Sequence, residues 1–265
     1  MTSVTPRTPP SVVLPAVRRI DASRPFRWLA LGWEDMLATP WPSLLHGVMA
    51  AIGGYVILVL ALRIWPLLPG AFSGFVLVAP ILATGLYELS RVRGQGGRPT
   101  LQSVIDAWRR GTRPLVWFGG MLAVAATAWV LVSAGLFVAF VNQPIDGVIS
   151  FIRYAVAVQS GHLFLMWIML GGLGCAIVFA VTAISPPLLL ERDVDLRSAV
   201  LASVRAVGDN AVPMGVWAVI LMVATAFSLA TLMLGFVITI PVIGHATWHA
   251  YRDLIDADGL PLRRP

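Results

Sequence analysis

Apolar runs about twenty residues long alternate along the chain with short segments rich in arginine, glycine and proline. The first run covers residues 43–62, the second 71–88, the third 114–141 and the fourth 162–190. The last stretch, Pro213 to Tyr251, holds 39 residues without a formal charge. As one helix it would extend about 58 Å, nearly twice the hydrocarbon core of about 30 Å. It therefore reads as two spans, 213–231 and 233–251, turning near Thr231 to Gly235. The pattern predicts an all-α, polytopic membrane helical bundle over residues 25–255, with six transmembrane helices as three hairpins.

A second periodicity precedes each pair of spans. Leu101, Val104, Ile105 and Trp108 recur at helical spacing after a possible N-cap at Thr100. Leu196, Val200, Val204 and Val207 do so after Asp195, and Phe26, Leu29, Trp33, Met36 and Leu37 before the first span. These are short amphipathic helices. Such helices lie in the interface plane, where Trp28, Trp33, Trp41 and Trp108 suit headgroup depth, or they cap the bundle. The sequence does not choose between the two. The layout is a threefold repeat, an amphipathic helix and two spans per unit. The second span of each unit carries a proline: Pro80, Pro186 and Pro241. A proline inside a span removes a backbone hydrogen bond and kinks the helix. Three such kinks could frame a cavity or could be packing features, and packing is the commoner case.

Charge sets the orientation. With the N-terminus inside, inner segments hold 17 arginines; outer segments hold Arg63 and Arg153. That asymmetry places both termini in the cytoplasm. A five-span layout would put the C-terminal arginines outside. Residues 1–24 read as a disordered cytoplasmic tail without a signal peptide, and 256–265 as a second cytoplasmic tail.

Composition agrees. Of 265 residues, 58% are hydrophobic and 12% charged, with mean hydropathy +0.82, where soluble proteins carry about 25% charged residues. All 19 basic residues are arginine. Their confinement to short loops argues against nucleic acid as a partner and for the lipid bilayer, together with other membrane proteins. A single cysteine, Cys175 inside an apolar run, excludes an intrachain disulfide.

Candidate chemistry is sparse. His245 and His249 are i, i+4 on the sixth span, and His46 lies near the inner end of the first. Three imidazoles could bind zinc, copper or haem iron. No carboxylate or thiolate motif accompanies them in sequence, and hydrogen bonding at the interface is the plainer reading. His162 starts the fourth span on the outer side. Glu88, Glu191 and Arg192 fall at inner helix ends, where headgroup contact would suffice. Gly94-Gln95-Gly96-Gly97 reads as a flexible turn, and no phosphate-binding loop or catalytic triad is recognisable. No catalytic residue and no cofactor are implied.

The C-terminal half carries Pro187-Leu188-Leu189-Leu190-Glu191-Arg192-Asp193-Val194-Asp195, then Ser203-Val204-Arg205-Ala206-Val207, Asn210 and Pro213-Met214 before Trp217. It closes on Pro241-Val242-Ile243-Gly244-His245-Ala246-Thr247-Trp248-His249. With Trp33-Glu34-Asp35 near the start, this resembles an uncharacterised family of proteobacterial integral membrane proteins, a domain of unknown function, over about residues 20–255. The resemblance implies six spans and no established activity. Members sometimes carry the label cytochrome c oxidase subunit I, a protein with more spans and more histidine ligands than this chain offers. Three functions are then in play. They are a non-enzymatic accessory, assembly or envelope protein, a transporter or channel for a neutral or apolar small molecule, and a histidine-based metal- or haem-binding respiratory accessory.

Overall fold

The computed structural model describes residues 14–63, 82–109, 113–140 and 161–263. About 81% of them are helical. The helices are α1 (Arg24–Ala38), α2 (Pro40–Arg63), α3 (residues 82–94), α4 (Leu101–Arg109), α5 (Arg113–Phe140), α6 (Gly161–Thr182), α7 (Ser185–Glu191), α8 (Leu196–Asp209), α9 (Ala211–Ala230) and α10 (Phe236–Leu254). Two short strands, β1 (Ala16–Val17) and β2 (Ile255–Asp256), pair antiparallel.

Local chemistry accounts for the boundaries. The Asp195 side chain accepts from the Ser198 backbone N–H at 2.9 Å and caps α8. Thr100 and Ser103 cap one another at the start of α4, each backbone N–H meeting the other's hydroxyl at 3.3 Å. Gly96 ends α3 with φ +76°, the left-handed conformation that a helix C-terminus favours. The α9–α10 turn occupies residues 231–235; there the Thr231 hydroxyl accepts from Gly235 N–H at 2.8 Å.

Among the described residues, four stretches are long and apolar enough to cross a membrane: Pro40–Leu60, Arg113–Ser133, Leu165–Glu191 and Ala211–Ala230. Between 17% and 28% of the apolar window in each is buried within the protein. Val124, Leu131, Met169 and Met222 are all more than 60% exposed. Water would not tolerate that much continuous apolar surface, and lipid requires it.

The core is concentrated at one end of the bundle, here termed the polar end. Trp28, Phe118, Ile184, Leu188, Trp217, Ala246 and Tyr251 are at most 1% exposed and belong to one cluster. Trp28 and Trp217 meet edge to face, with centroids 5.7 Å apart. Helix α10 is central: α1 and α2 pack along it, and α7 and α9 also touch it. Helices α5, α6, α7 and α8 pack on one another beside it.

The amphipathic helices are two-faced. In α1, Trp28, Gly32, Asp35 and Met36 are buried, while Phe26, Trp33 and Leu37 from the expected apolar stripe stay exposed. The helix thus caps the bundle with one face and keeps an apolar face outside it. Gly32 makes this possible: a Cβ there would lie 2.5 Å from the Val242 carbonyl oxygen of α10.

The expected kinks resolve differently. Pro241 lies inside α10. It lacks the N–H that would bond the Val237 carbonyl. Gly47 of α2 approaches that same carbonyl, and a Cβ there would sit 2.2 Å from it. Pro186 does not bend a continuous helix. The chain breaks at residues 183–184, and Pro186 and Pro187 fall in the first turn of α7, where a missing N–H leaves no bond unmade. Ser203 of α8 fills the break, accepting from Ile184 N–H at 3.1 Å and donating to the Ala180 carbonyl at 2.7 Å. Pro80 and most of the second expected span lie outside the described residues.

The expected tails also need correction. From residue 14 the N-terminal segment is held: Ala16–Val17 pair with Ile255–Asp256, and Arg18 N–H donates to the Leu254 carbonyl at 2.8 Å. The Asn210 side chain accepts from Ile20 N–H at 2.9 Å and donates to the Arg18 carbonyl at 3.0 Å. The C-terminal segment packs too, with Leu260 buried and Leu262 bridged to Arg192. Backbone pairing orders both segments in spite of their polar composition.

Candidate functional site: a buried polar network

Asp35 projects from the inward face of α1 and is 3% exposed. One carboxylate oxygen, Oδ2, accepts from the Ser90 hydroxyl and from His249 Nε2, the latter at 2.8 Å. The other pairs with Arg93. His245, fully buried, meets Ser90 Oγ through Nδ1 at 2.7 Å and Ser43 Oγ through Nε2 at 2.9 Å. Ser43 in turn contacts Thr39, whose hydroxyl donates to the Asp35 carbonyl at 2.9 Å. The network joins α1, α2, α3 and α10.

An ionised carboxylate can only accept, so Asp35 sets the direction of the chain. Ser90 gives its proton to Asp35 and must accept from His245 Nδ1–H. Neutral His245 then accepts from Ser43 at Nε2. Burial alone would raise the Asp35 carboxyl, but His249, Ser90 and Arg93 together lower it to about 2.

The network corrects the expectation that no carboxylate accompanies the histidines, because the acid arrives from α1, more than two hundred residues away in sequence. His46 stays apart. Its Nδ1 donates to the Pro42 carbonyl at 2.6 Å, while Nε2 is buried without a partner. The ring stands edge-on to Trp108, centroids 5.5 Å apart, and Trp108 Nε1 also lacks a partner. Gly85 gives the imidazole its room, since a Cβ there would lie 2.2 Å from Nε2. His162 falls in the first turn of α6, its side chain outside the described residues.

Two further ionic centres close the polar end. Glu191 accepts from the Tyr251 hydroxyl at 2.5 Å and pairs with Arg192 and Arg252. Arg192 also donates to the Leu260 carbonyl at 2.8 Å. Asp253 receives a bidentate grip from Arg24 and the Trp28 indole N–H at 2.8 Å. Burial pushes the Asp253 carboxyl up; Arg24 and Trp28 outweigh it and hold the carboxyl below its usual range. Glu88, Glu191 and Arg192 are therefore buried and engaged inside the protein, at 3%, 7% and 7% exposure, rather than spread among headgroups.

Among the described residues, no group of three or more His, Cys, Asp or Glu is placed to hold a metal ion. Both His245 nitrogens are taken by hydroxyls, His249 Nε2 is turned to Asp35, and His46 Nε2 faces Gly85 and Trp108. Ser43, His245 and Asp35 are residue types that serve hydrolases, but Ser43 and His245 are 0% exposed and no substrate could reach them.

An all-helical chain with several lipid-exposed apolar helices and its polar groups gathered at one end is an integral membrane protein. Residues 67–191, just under half of the chain, match the model of a family described as predicted integral membrane protein, DUF2189, a domain of unknown function. That is the family the sequence resembles. The match brings α3 with Ser90 and Arg93, but neither Asp35 nor the closing segment with His245. No curated protein and no solved structure matches the chain.

Proposed function

We propose that this is a six-span inner-membrane protein with both termini in the cytoplasm and a non-enzymatic role. It acts as a rigid platform that supports an assembly or envelope process through helix and lipid contacts. The observation that carries the reading is the closure of the polar network. Its buried ionisable groups are bonded within the chain, and no network residue lines the apolar groove between α1, α9 and α10 or the one between α2 and the 231–235 turn.

The fifth and sixth spans are α9 and α10. The 20 residues of α9 rise about 30 Å, enough to cross the hydrocarbon core. The turn at 231–235 sends α10 back. Helix α10 falls short of a simple hydropathy criterion because His245, His249, Arg252 and Asp253 occupy its polar end, where α1 and α7 surround it. The arginine asymmetry puts that end in the cytoplasm.

Reporter fusions after residues 98 and 256 test the topology; both should report the cytoplasm, and an external signal at either would overturn it. Purification in mild detergent should recover a membrane-protein partner, and deletion should alter envelope integrity. Neither outcome, or turnover of a small molecule by the purified protein, would sink the platform role.

A further inference from the structure

An apolar groove of about 880 Å³ runs between α1, α9 and α10, with Phe26 and Trp33 on one wall and Gly215, Val219 and Phe227 on another. We propose that it holds the acyl chains of one anionic phospholipid, with the headgroup beside Arg27. The inference goes beyond the platform role and shares with it the placement of α9 and α10 in the bilayer.

The size of the groove selects hydrocarbon. From Gly215 to Phe227 it follows twelve residues of α9, about 18 Å. Its volume falls within the ligand-pocket range of about 300–1,000 Å³. Thr239 is the single polar side chain among its named walls, so the buried portion of the ligand must be apolar.

Charge selects the headgroup. The groove begins at the polar end, where Phe26 precedes Arg27 in α1. Arg27 is exposed and pairs with no carboxylate among the described residues, and the same holds for Arg19. Arg24 is occupied by Asp253, and the charge of Asp21 falls on Arg24. Glu34 lies two turns further along α1. The charge of Arg27 reaches Asp253, which Arg24 and Trp28 already hold, so an anionic headgroup at Arg27 would meet a guanidinium free of direct ion pairs, with exposed Trp33 at interfacial depth.

The test is native mass spectrometry of the full chain released from nanodiscs holding equal phosphatidylglycerol and phosphatidylcholine. One phosphatidylglycerol should stay bound per chain. Val219→Trp, which fills the groove, should lose it, and Val124→Trp, on the exposed face of α5, should keep it. Ala224→Phe supplies the same filling should Val219→Trp misfold, as read by circular dichroism. Arg27→Gln should lower the preference for phosphatidylglycerol about fivefold, the effect of one basic residue near an anionic surface. Retention by the filled variants, no bound lipid in the wild type, or no headgroup preference would each overturn the proposal. So would a dimer dissociated by Val219→Trp, because a second copy would then be the occupant. These readouts do not depend on orientation or on a protein partner, so they separate failure of the groove from failure of the platform role.

Discussion

Asp35 shows how one buried charge organises the polar end. Its carboxyl is held near 2 against an ordinary 3.8, so ionisation and folding favour each other. That contribution is complete above about pH 4 and is lost as pH falls through about 2, as the folded state can no longer avoid the proton. The shift corresponds to about 2 kcal/mol. Thermal unfolding in detergent between pH 5 and 2 should show the loss, and Asp35→Asn should flatten the profile. The same variant at pH 7 should cost about 2 kcal/mol, the stabilisation that the carboxylate contributes there. His46→Leu is expected to behave oppositely. It removes a buried, unpartnered nitrogen and should leave stability unchanged or raised by about 1 kcal/mol, whereas His245→Leu strands Ser43 and Ser90 and lowers it. A ligand-binding histidine at position 46 would instead show a metal- or haem-dependent shift in melting that His46→Leu abolishes. The histidines were visible in the sequence and their acid was not. Asp35 stands there only within Trp33-Glu34-Asp35, and its partners lie 55, 58 and 214 positions away. One signal was present: Trp28, Gly32 and Asp35 recur at helical spacing and mark a second face of α1, a large ring, a gap and a charge.

Helices meet at α10 where side chains are missing. Gly32 and Gly47 press against its backbone, so Gly32→Ala and Gly47→Ala should each cost about 1–3 kcal/mol, read as a lowered melting temperature. At Gly208 of α8 a methyl group would meet nothing within 4 Å, and Gly208→Ala should stabilise by up to about 1 kcal/mol. Equal effects at all three positions would show that helix propensity, rather than close approach, governs them. The hairpin turn carries the opposite flaw. Leu232 and Met233 both take positive φ, and Leu232 is 69% exposed; Leu232→Gly should relieve about 1 kcal/mol of strain. The helices themselves were legible from periodicity, and the starts of α4 and α8 from Thr100 and Asp195. Periodicity misled where one proline could be read two ways. Pro186 begins a helix because Ser203, on another helix, satisfies the break before it, and no local pattern announces that partner.

At the scale of the whole molecule, a tight polar end carries apolar helices that spread into lipid. Hydropathy revealed the apolar helices because lipid acts on average composition. The closure of the polar end depends on contacts between distant residues, and so the segments 14–23 and 257–263 read as tails although backbone pairing holds them. Asn210 contributes through two such bonds, and Asn210→Ala should expose residues 14–23 to protease while the helices stay protected. The pairing of Ala16–Val17 with Ile255–Asp256 also has a meaning in time. Residue 255 leaves the ribosome after every helix described, so β1 must wait through the synthesis and insertion of the whole bundle before it finds its strand. Arrested or truncated chains cannot form that pair. Residues 14–20 should therefore stay open to protease in any chain arrested before residue 255, even when every described helix has already been made.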